Sequence, residues 1–281
     1  MANEAIYLQE MPASCRCAAQ ILTVTAGKGG VGKTNIAANL AICLSSLQKK
    51  VLLVDADISL GNLDIIMGIS SRYNISHIVS GQKTIEQVIC PGPGHIQVVC
   101  AGSGIERLAN INEFQRHRLL QELFRLQQHA DTIVIDTPAG ISKSAISFCL
   151  AADHVLVVTT PEATAITGAY GTIKVLTQNF FQGPISIIVN MAESIAEGRK
   201  TYRQIAYVAK RFLGTHVYDA GILLKDDRLT SAVKLRTPVV LAYPKSQTSS
   251  ALTALAAKLG VSIDSQTDVG RFTAKIVNWF T

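Results

Sequence analysis

No apolar run in this 281-residue chain approaches the roughly 20 residues that a membrane-spanning helix needs. The opening stretch MANEAIYLQE carries two acids and no basic cluster, so no secretory leader is read there. The six cysteines, Cys15, Cys17, Cys43, Cys90, Cys100 and Cys149, show no Cys-x-x-Cys and no paired Cys/His spacing, which argues against a zinc site. Their scatter fits a reducing cytosol, and Cys43, Cys100 and Cys149 lie in apolar runs as small core hydrophobes. Strong charge patterning is also missing. A net charge of +6 and a pI near 9.0 tolerate a weak attraction to anionic lipid or nucleic acid and demonstrate neither. No internal repeat stands out.

What the chain does have is a 48% apolar content and a regular alternation of two periodicities. The runs at 21–26, 51–55, 96–102, 132–136, 154–160 and 185–190 are short, apolar and rich in β-branched residues, as strands covered on both faces are. Helical stretches are expected between them, over 33–46, 112–129, 163–181, 197–213 and 247–259. This order predicts an α/β fold: a doubly wound, mostly parallel sheet flanked by helices, whose ligands bind at the carboxyl ends of the strands. Residues 1–19 read as a flexible lead-in, 20–260 as the domain and 261–268 as a linker to a short tail.

Residues 25–41, TAGKGGVGKTNIAANLA, follow the first strand and open the first helix. Within them Gly27, Lys28, Gly29, Gly30, Val31, Gly32, Lys33 and Thr34 match G-x-x-x-x-G-K-[ST] in full. Glycines let the backbone wrap a phosphate chain with its N–H groups inward, and the helix N-terminus adds positive potential. Lys33 can reach the β- and γ-phosphates of ATP, and Thr34 can offer its hydroxyl to Mg²⁺. The ATP-binding set is taken one residue further, to Asn35.

Lys28 is a second lysine in a loop where one would hold the phosphates. The string KGGVGKT resembles the variant phosphate loop of the MinD/ParA family of ATPases, P-loop proteins of this same sheet architecture. The resemblance implies an ATP-dependent homodimer in which Lys28 reaches the partner subunit's nucleotide. A solvated loop lysine is the plainer reading. In VLLVDADISLGNLD the resemblance gives Asp57 the orientation of the attacking water, while Asp55 helps order the magnesium shell; a turn or helix cap is the structural alternative for each. Asp136 ends the apolar run TIVID, where an acid is costly without a task. Its expected task is a water-mediated contact to Mg²⁺, and the TPAG that follows resembles the family's second switch. Asn190 ends ISIIVN; its amide can donate and accept, which suits an adenine edge, and that position reads the base in the family. Asp226 matches another nucleotide-side position.

The stretches NISHIVSG, TTPEATAITGAY and PVVLAYPKSQTSSALTALAAKL resemble the flagellar-number regulators of the FlhG/FleN type. The resemblance implies partners: a flagellar GTPase of the signal-recognition type (FlhF), C-ring components, or a flagellar transcription activator. Three departures stand out. The N-terminal DQAxxLR element is missing, Gly168 replaces the Asp of ITDAY, and Leu224 replaces a Pro ahead of Asp226.

In the last stretch, 268–281, Val269, Phe272, Ile276, Trp279 and Phe280 would share one helical face, flanked by Arg271 and Lys275. A basic amphipathic helix of this kind suits an anionic membrane surface, and the resembling family carries a similar tail. A final helix packed on the domain is the other reading. Together these features predict a slow, dimer-dependent ATPase switch that cycles between the cytoplasm and the inner face of the cell membrane, a polar position included, and sets flagellar number and placement. The alternatives are a division-site MinD, a ParA-type DNA- or cargo-positioning ATPase, against which the tail argues, and a regulator that binds ATP with little turnover. An iron–sulfur carrier of the same superfamily is disfavoured by the lack of cysteine in DTPAG.

Overall fold

The computed structural model describes residues 19–57, 61–101, 122, 125–127 and 129–261. The lead-in through residue 18, most of the helix expected over 112–129, and the tail with Val269, Phe272, Ile276, Trp279 and Phe280 lie outside the described residues.

Among the described residues, eight strands form one sheet. They are β1 (Gln20–Thr25), β2 (Val51–Asp55), β3 (Cys90–Pro91), β4 (Gln97–Val99), β5 (Thr132–Asp136), β6 (His154–Thr159), β7 (Ile185–Ala192) and β8 (Tyr218–Leu224). Their order is β3-β4-β2-β5-β1-β6-β7-β8. All neighbours are parallel except β3, which returns antiparallel along β4. The expected doubly wound sheet is present. The strand expected over 96–102 is shorter, Gln97–Val99, and β8 and β3 are additions. β8 was obscured because YDAGILL mixes exposed polar residues into an edge strand, and β3 is too short to carry a period.

Ten helices accompany the strands: α1 (Lys33–Ser45), α2 (Leu63–Met67), α3 (Ile75–Val79), α4 (Ile85–Val88), α5 (Lys143–Ala151), α6 (Ala163–Gln178), α7 (Ile195–Leu213), α8 (Asp227–Lys234), α9 (Val239–Ala242) and α10 (Gln247–Val261), counted among the described residues. α10 extends to Val261, one residue into the stretch read as linker.

Alternation along the strands divides the core into two layers. Leu22, Val24, Leu53, Val134, Leu156 and Ile188 face α1 and α10. Ile21, Leu52, Ile133, Val155 and Ile187 face α5, α6 and α7. Because side chains on a strand point alternately to opposite faces, a sheet covered on both sides requires unbroken apolar runs, which is what the sequence shows. The central strands β1, β2 and β5 are fully buried, so their carboxyl ends form a rigid floor for the loops that follow.

Candidate nucleotide and magnesium site

The loop after β1 is shaped by its glycines. Gly30 (φ 80°) and Gly32 (φ 84°) occupy the left-handed region, where a side chain is strained. Gly27 is required for a different reason. A Cβ there would fall 2.0 Å from the Gly168 carbonyl oxygen, so the loop packs directly on the backbone of α6. The loop is also anchored from other sides. The Asn190 amide donates to Val31 O at 2.8 Å, and Gly140 N donates to Ala26 O at 2.8 Å. The TPAG segment is thus hydrogen-bonded to the phosphate loop, and the end of β7 supports its far side.

Lys33, at the start of α1, is buried, and its ammonium lies 2.5 Å from Asp136 Oδ1 and 3.5 Å from Thr34 Oγ1. Asp136 pairs in register with Asp55 across β5 and β2, which brings two buried carboxylates to neighbouring strand ends. Burial pushes the Asp136 carboxyl upward, and the Lys33 charge opposes it. Asp55 is pushed up to about 7, first by burial and then by the charge on Asp136, against a hydrogen bond from Asp57 N. That hydrogen bond, 3.0 Å to Asp55 Oδ1, folds the Asp57 backbone over the strand end.

The residue set fits Mg²⁺. Burial and mutual repulsion leave Asp55 short of positive charge, which a divalent cation would supply. The candidate donors are oxygens: Thr34, Asp55 and Asp136. Among the described residues no group of three or more His, Cys, Asp or Glu side chains is placed to hold a metal alone. A hard cation that keeps its waters and shares phosphate oxygens suits such a sparse set; zinc does not.

Lys28 is placed apart from Lys33. It is exposed, and its ammonium meets Glu162 Oε2 at 2.5 Å and Thr164 Oγ1 at 2.9 Å, at the N-terminus of α6. Asp226 caps α8, accepting from Arg228 N at 2.9 Å and from Thr248 N at 3.3 Å. It thereby ties α8 to the start of α10. The cap reading weighed for Asp55 and Asp57 therefore applies to Asp226.

The structure brings Lys33, Thr34, Asp55, Asp57, Asp136 and Asn190 to the carboxyl ends of β1, β2, β5 and β7, with Asn35 in the first turn of α1. Sequence reasoning missed Glu162 and Thr164 as partners of Lys28, and Gly168 as the seat of Gly27. All three stand in TTPEATAITGAY. An acid just before a helix was a usable signal for Glu162, whereas the Gly27–Gly168 contact spans too much chain to have one.

A family model described as an AAA domain matches residues 19–182. The chain is 36% identical to the antiactivator FleN of Pseudomonas aeruginosa over 240 residues, 85% of this chain and 86% of that protein. It is 38% identical to the flagellum site-determining protein YlxH of Helicobacter pylori over 191 residues, 68% of this chain and 64% of that protein. Among solved structures, the septum site-determining protein MinD from Pyrococcus horikoshii, complexed with Mg-ADP, superposes with a TM-score of 0.72 at 22% identity, covering 89% of this chain and 99% of that one. With the phosphate loop, the carboxylate pair and the sheet order all in agreement, the chain belongs to the MinD/ParA family of P-loop ATPases, in its FleN/YlxH branch.

Proposed function

We propose that this protein is an ATP-driven dimerisation switch that regulates flagellar number and placement. The observation that carries the reading is the division of labour between two lysines. Lys33 is buried against the carboxylates, while Lys28 stands exposed on the same loop.

The chain's residues would act as follows. Lys33 exchanges part of its contact with Asp136 for the β- and γ-phosphates, and the loop N–H groups hold the same phosphates. Thr34, Asp55 and Asp136 would hold Mg²⁺, which offsets phosphate charge when bound. Asp57 orients the attacking water. Asn190 would read the adenine edge, and Asp226 would border the base side while it caps α8. Lys28 leaves Glu162 and Thr164 for the nucleotide of a second subunit, so that the reaction becomes complete only in the dimer. Because the exposed Lys28–Glu162 pair contributes only about 0–1 kcal/mol, the exchange is a low-cost one.

The membrane-associating part of the proposal rests on the sequence of 268–281, and the partners (the flagellar GTPase, C-ring components or a transcription activator) rest on the FleN/YlxH relationship. The test is the mass in solution with ADP, with ATP, and with ATP for Asp57→Ala and Lys28→Ala. A dimer formed only with ATP, accumulated in Asp57→Ala and lost in Lys28→Ala is the expected result. A monomer in every state refutes the switch.

A further inference from the structure

Side chains on a regular strand alternate between the two faces of the sheet, so consecutive residues do not meet one target. At the carboxyl end of β7 two of them do. The Asn190 amide and the Met191 methyl group converge on Gly32 of the phosphate loop. A Cβ added at Gly32 would lie 2.5 Å from Asn190 Nδ2 and 3.5 Å from Met191 Cε. The cause is a break in the strand. Between the pairs Val189–Ile222 and Ala192–Leu224, β7 advances three residues while β8 advances two. The extra residue falls at Asn190 and Met191, and Met191 has a φ of 56°, in the left-handed region. Glycine visits that region routinely and Asn or Asp at times; a methionine there is strained. Bulges of this kind re-aim side chains beside active sites, and such strain persists only where the surrounding structure holds it.

Core packing gives the strain no return. Met191 is 40% exposed, whereas Asn190 and Ala192 on either side are buried. An apolar side chain is thus held half in solvent, beside the phosphate loop, on a backbone conformation that it disfavours. The inward turn of Asn190 and its bond to Val31 O do not call for methionine next in the chain, since a glycine would make the same turn without strain. What Met191 contributes is its thioether, a polarisable and flexible arm that packs well against an aromatic ring. The flat apolar group that belongs beside Asn190 is the base of a nucleotide.

We propose that the ring of the bound purine rests against Met191 while Asn190 addresses its edge. Two consecutive side chains would then hold one base by its two kinds of surface, an apolar face and a polar edge. The inference rests on the nucleotide-binding reading above and deepens it, by naming the contact through which this site favours a nucleotide over a bare phosphate chain.

The experiment titrates the full chain with ADP and with pyrophosphate, each with Mg²⁺, by calorimetry. Both ligands occupy the phosphate loop and only ADP carries a base. A diphosphate is used because, on the reading above, it does not bring two subunits together. Met191→Ala removes the thioether and keeps the strained backbone; Met191→Gly removes both. ADP should bind roughly fivefold to tenfold more weakly to each variant, with pyrophosphate within about twofold of wild type. Met191→Leu, apolar and of similar volume, should recover most of the ADP affinity. Without ligand, Met191→Gly should melt close to wild type, because relief of the backbone offsets the freedom that glycine adds to the unfolded chain. Unchanged ADP affinity in Met191→Ala and Met191→Gly overturns the contact. Equal losses for ADP and pyrophosphate make Met191 a support of the loop and overturn it as well. A wild type that binds pyrophosphate as tightly as ADP refutes the base contact alone, whereas one that binds neither refutes the nucleotide reading and this inference with it.

Discussion

Replacing Gly27 by Ala tests how the phosphate loop is held, with no nucleotide present. The added Cβ would lie 2.0 Å, 2.1 Å and 2.6 Å from the carbonyl oxygen, carbonyl carbon and Cα of Gly168. All three are backbone atoms of a helix interior, so no rotamer change relieves the contact. Overpacking costs about 1–3 kcal/mol where side chains can adjust, so a clash with backbone alone belongs at about 3 kcal/mol or above. At about 2–4 °C of melting temperature per kcal/mol for a domain of this size, the melting point should fall by roughly 6–12 °C. Two neighbouring glycines calibrate the figure. At Gly29 the nearest atom to an added Cβ is 3.9 Å away, so Gly29→Ala should stay within about 0.5 kcal/mol of wild type. At Gly30 there is open space but a φ of 80°, so Gly30→Ala should cost about 1–2 kcal/mol through the backbone alone. Gly168→Ala meets Gly27 at 2.9–3.2 Å, a milder clash that the gain of about 1 kcal/mol in helix propensity partly cancels. Urea and thermal unfolding of the four variants without nucleotide decide the matter. If Gly27→Ala melts with Gly29→Ala, the direct packing of the loop on α6 is wrong.

The remaining predictions concern charges and buried polar ties. Lys33→Ala removes both a phosphate ligand and the partner of buried Asp136, so binding of a fluorescent ATP analogue should disappear and stability should drop by about 3 kcal/mol at neutral pH; retained binding refutes the role of Lys33. Asn39 is fully buried, donates to Asn35 O at 2.7 Å and accepts from Val240 N at 3.1 Å, so Asn39→Ala leaves a backbone N–H near α9 without its acceptor and should cost about 1–3 kcal/mol in urea unfolding, whereas a neutral result would mean that the tie from α1 to α9 is dispensable. Burial lowers His154 to about 4, below its ordinary value of about 6.5, so the unfolded chain binds the proton more readily across that window. Its stabilising contribution is complete above pH 6.5, falls by about 2 kcal/mol between pH 7 and pH 5, and levels off below pH 4. His154→Gln should be less sensitive to pH by that amount, and an identical pH dependence in the two proteins rules the mechanism out.

Much of this molecule was written locally. Five of the six expected strands lie within a residue or two of their observed limits, because a strand buried on both faces must be continuously apolar and the chain has few other ways to use such runs. The phosphate loop was legible for a similar reason: its glycines, lysine and threonine act through the backbone geometry of one strand–loop–helix unit. Asp136, at the end of a buried strand, announced itself through the cost of placing a carboxylate there, and Asp55 through the resemblance of its motif.

Only the tertiary structure decided which distant groups meet. That Asp55 faces Asp136, that Glu162 and Thr164 hold Lys28, and that Asn190 donates to Val31 depend on strand order and register. The same holds for the seating of Gly27 on Gly168. Composition and periodicity specify which face of an element is buried, and say nothing of which element covers it. Asp226 illustrates the difference. Its sequence position suggested a nucleotide neighbour, and the fold employs its carboxylate in two backbone hydrogen bonds that join α8 to α10. Local pattern fixes what each segment can become, because it acts through backbone geometry and solvent exclusion. Partnership across the molecule is fixed by packing, since only the assembled sheet brings residues a hundred positions apart within hydrogen-bonding distance.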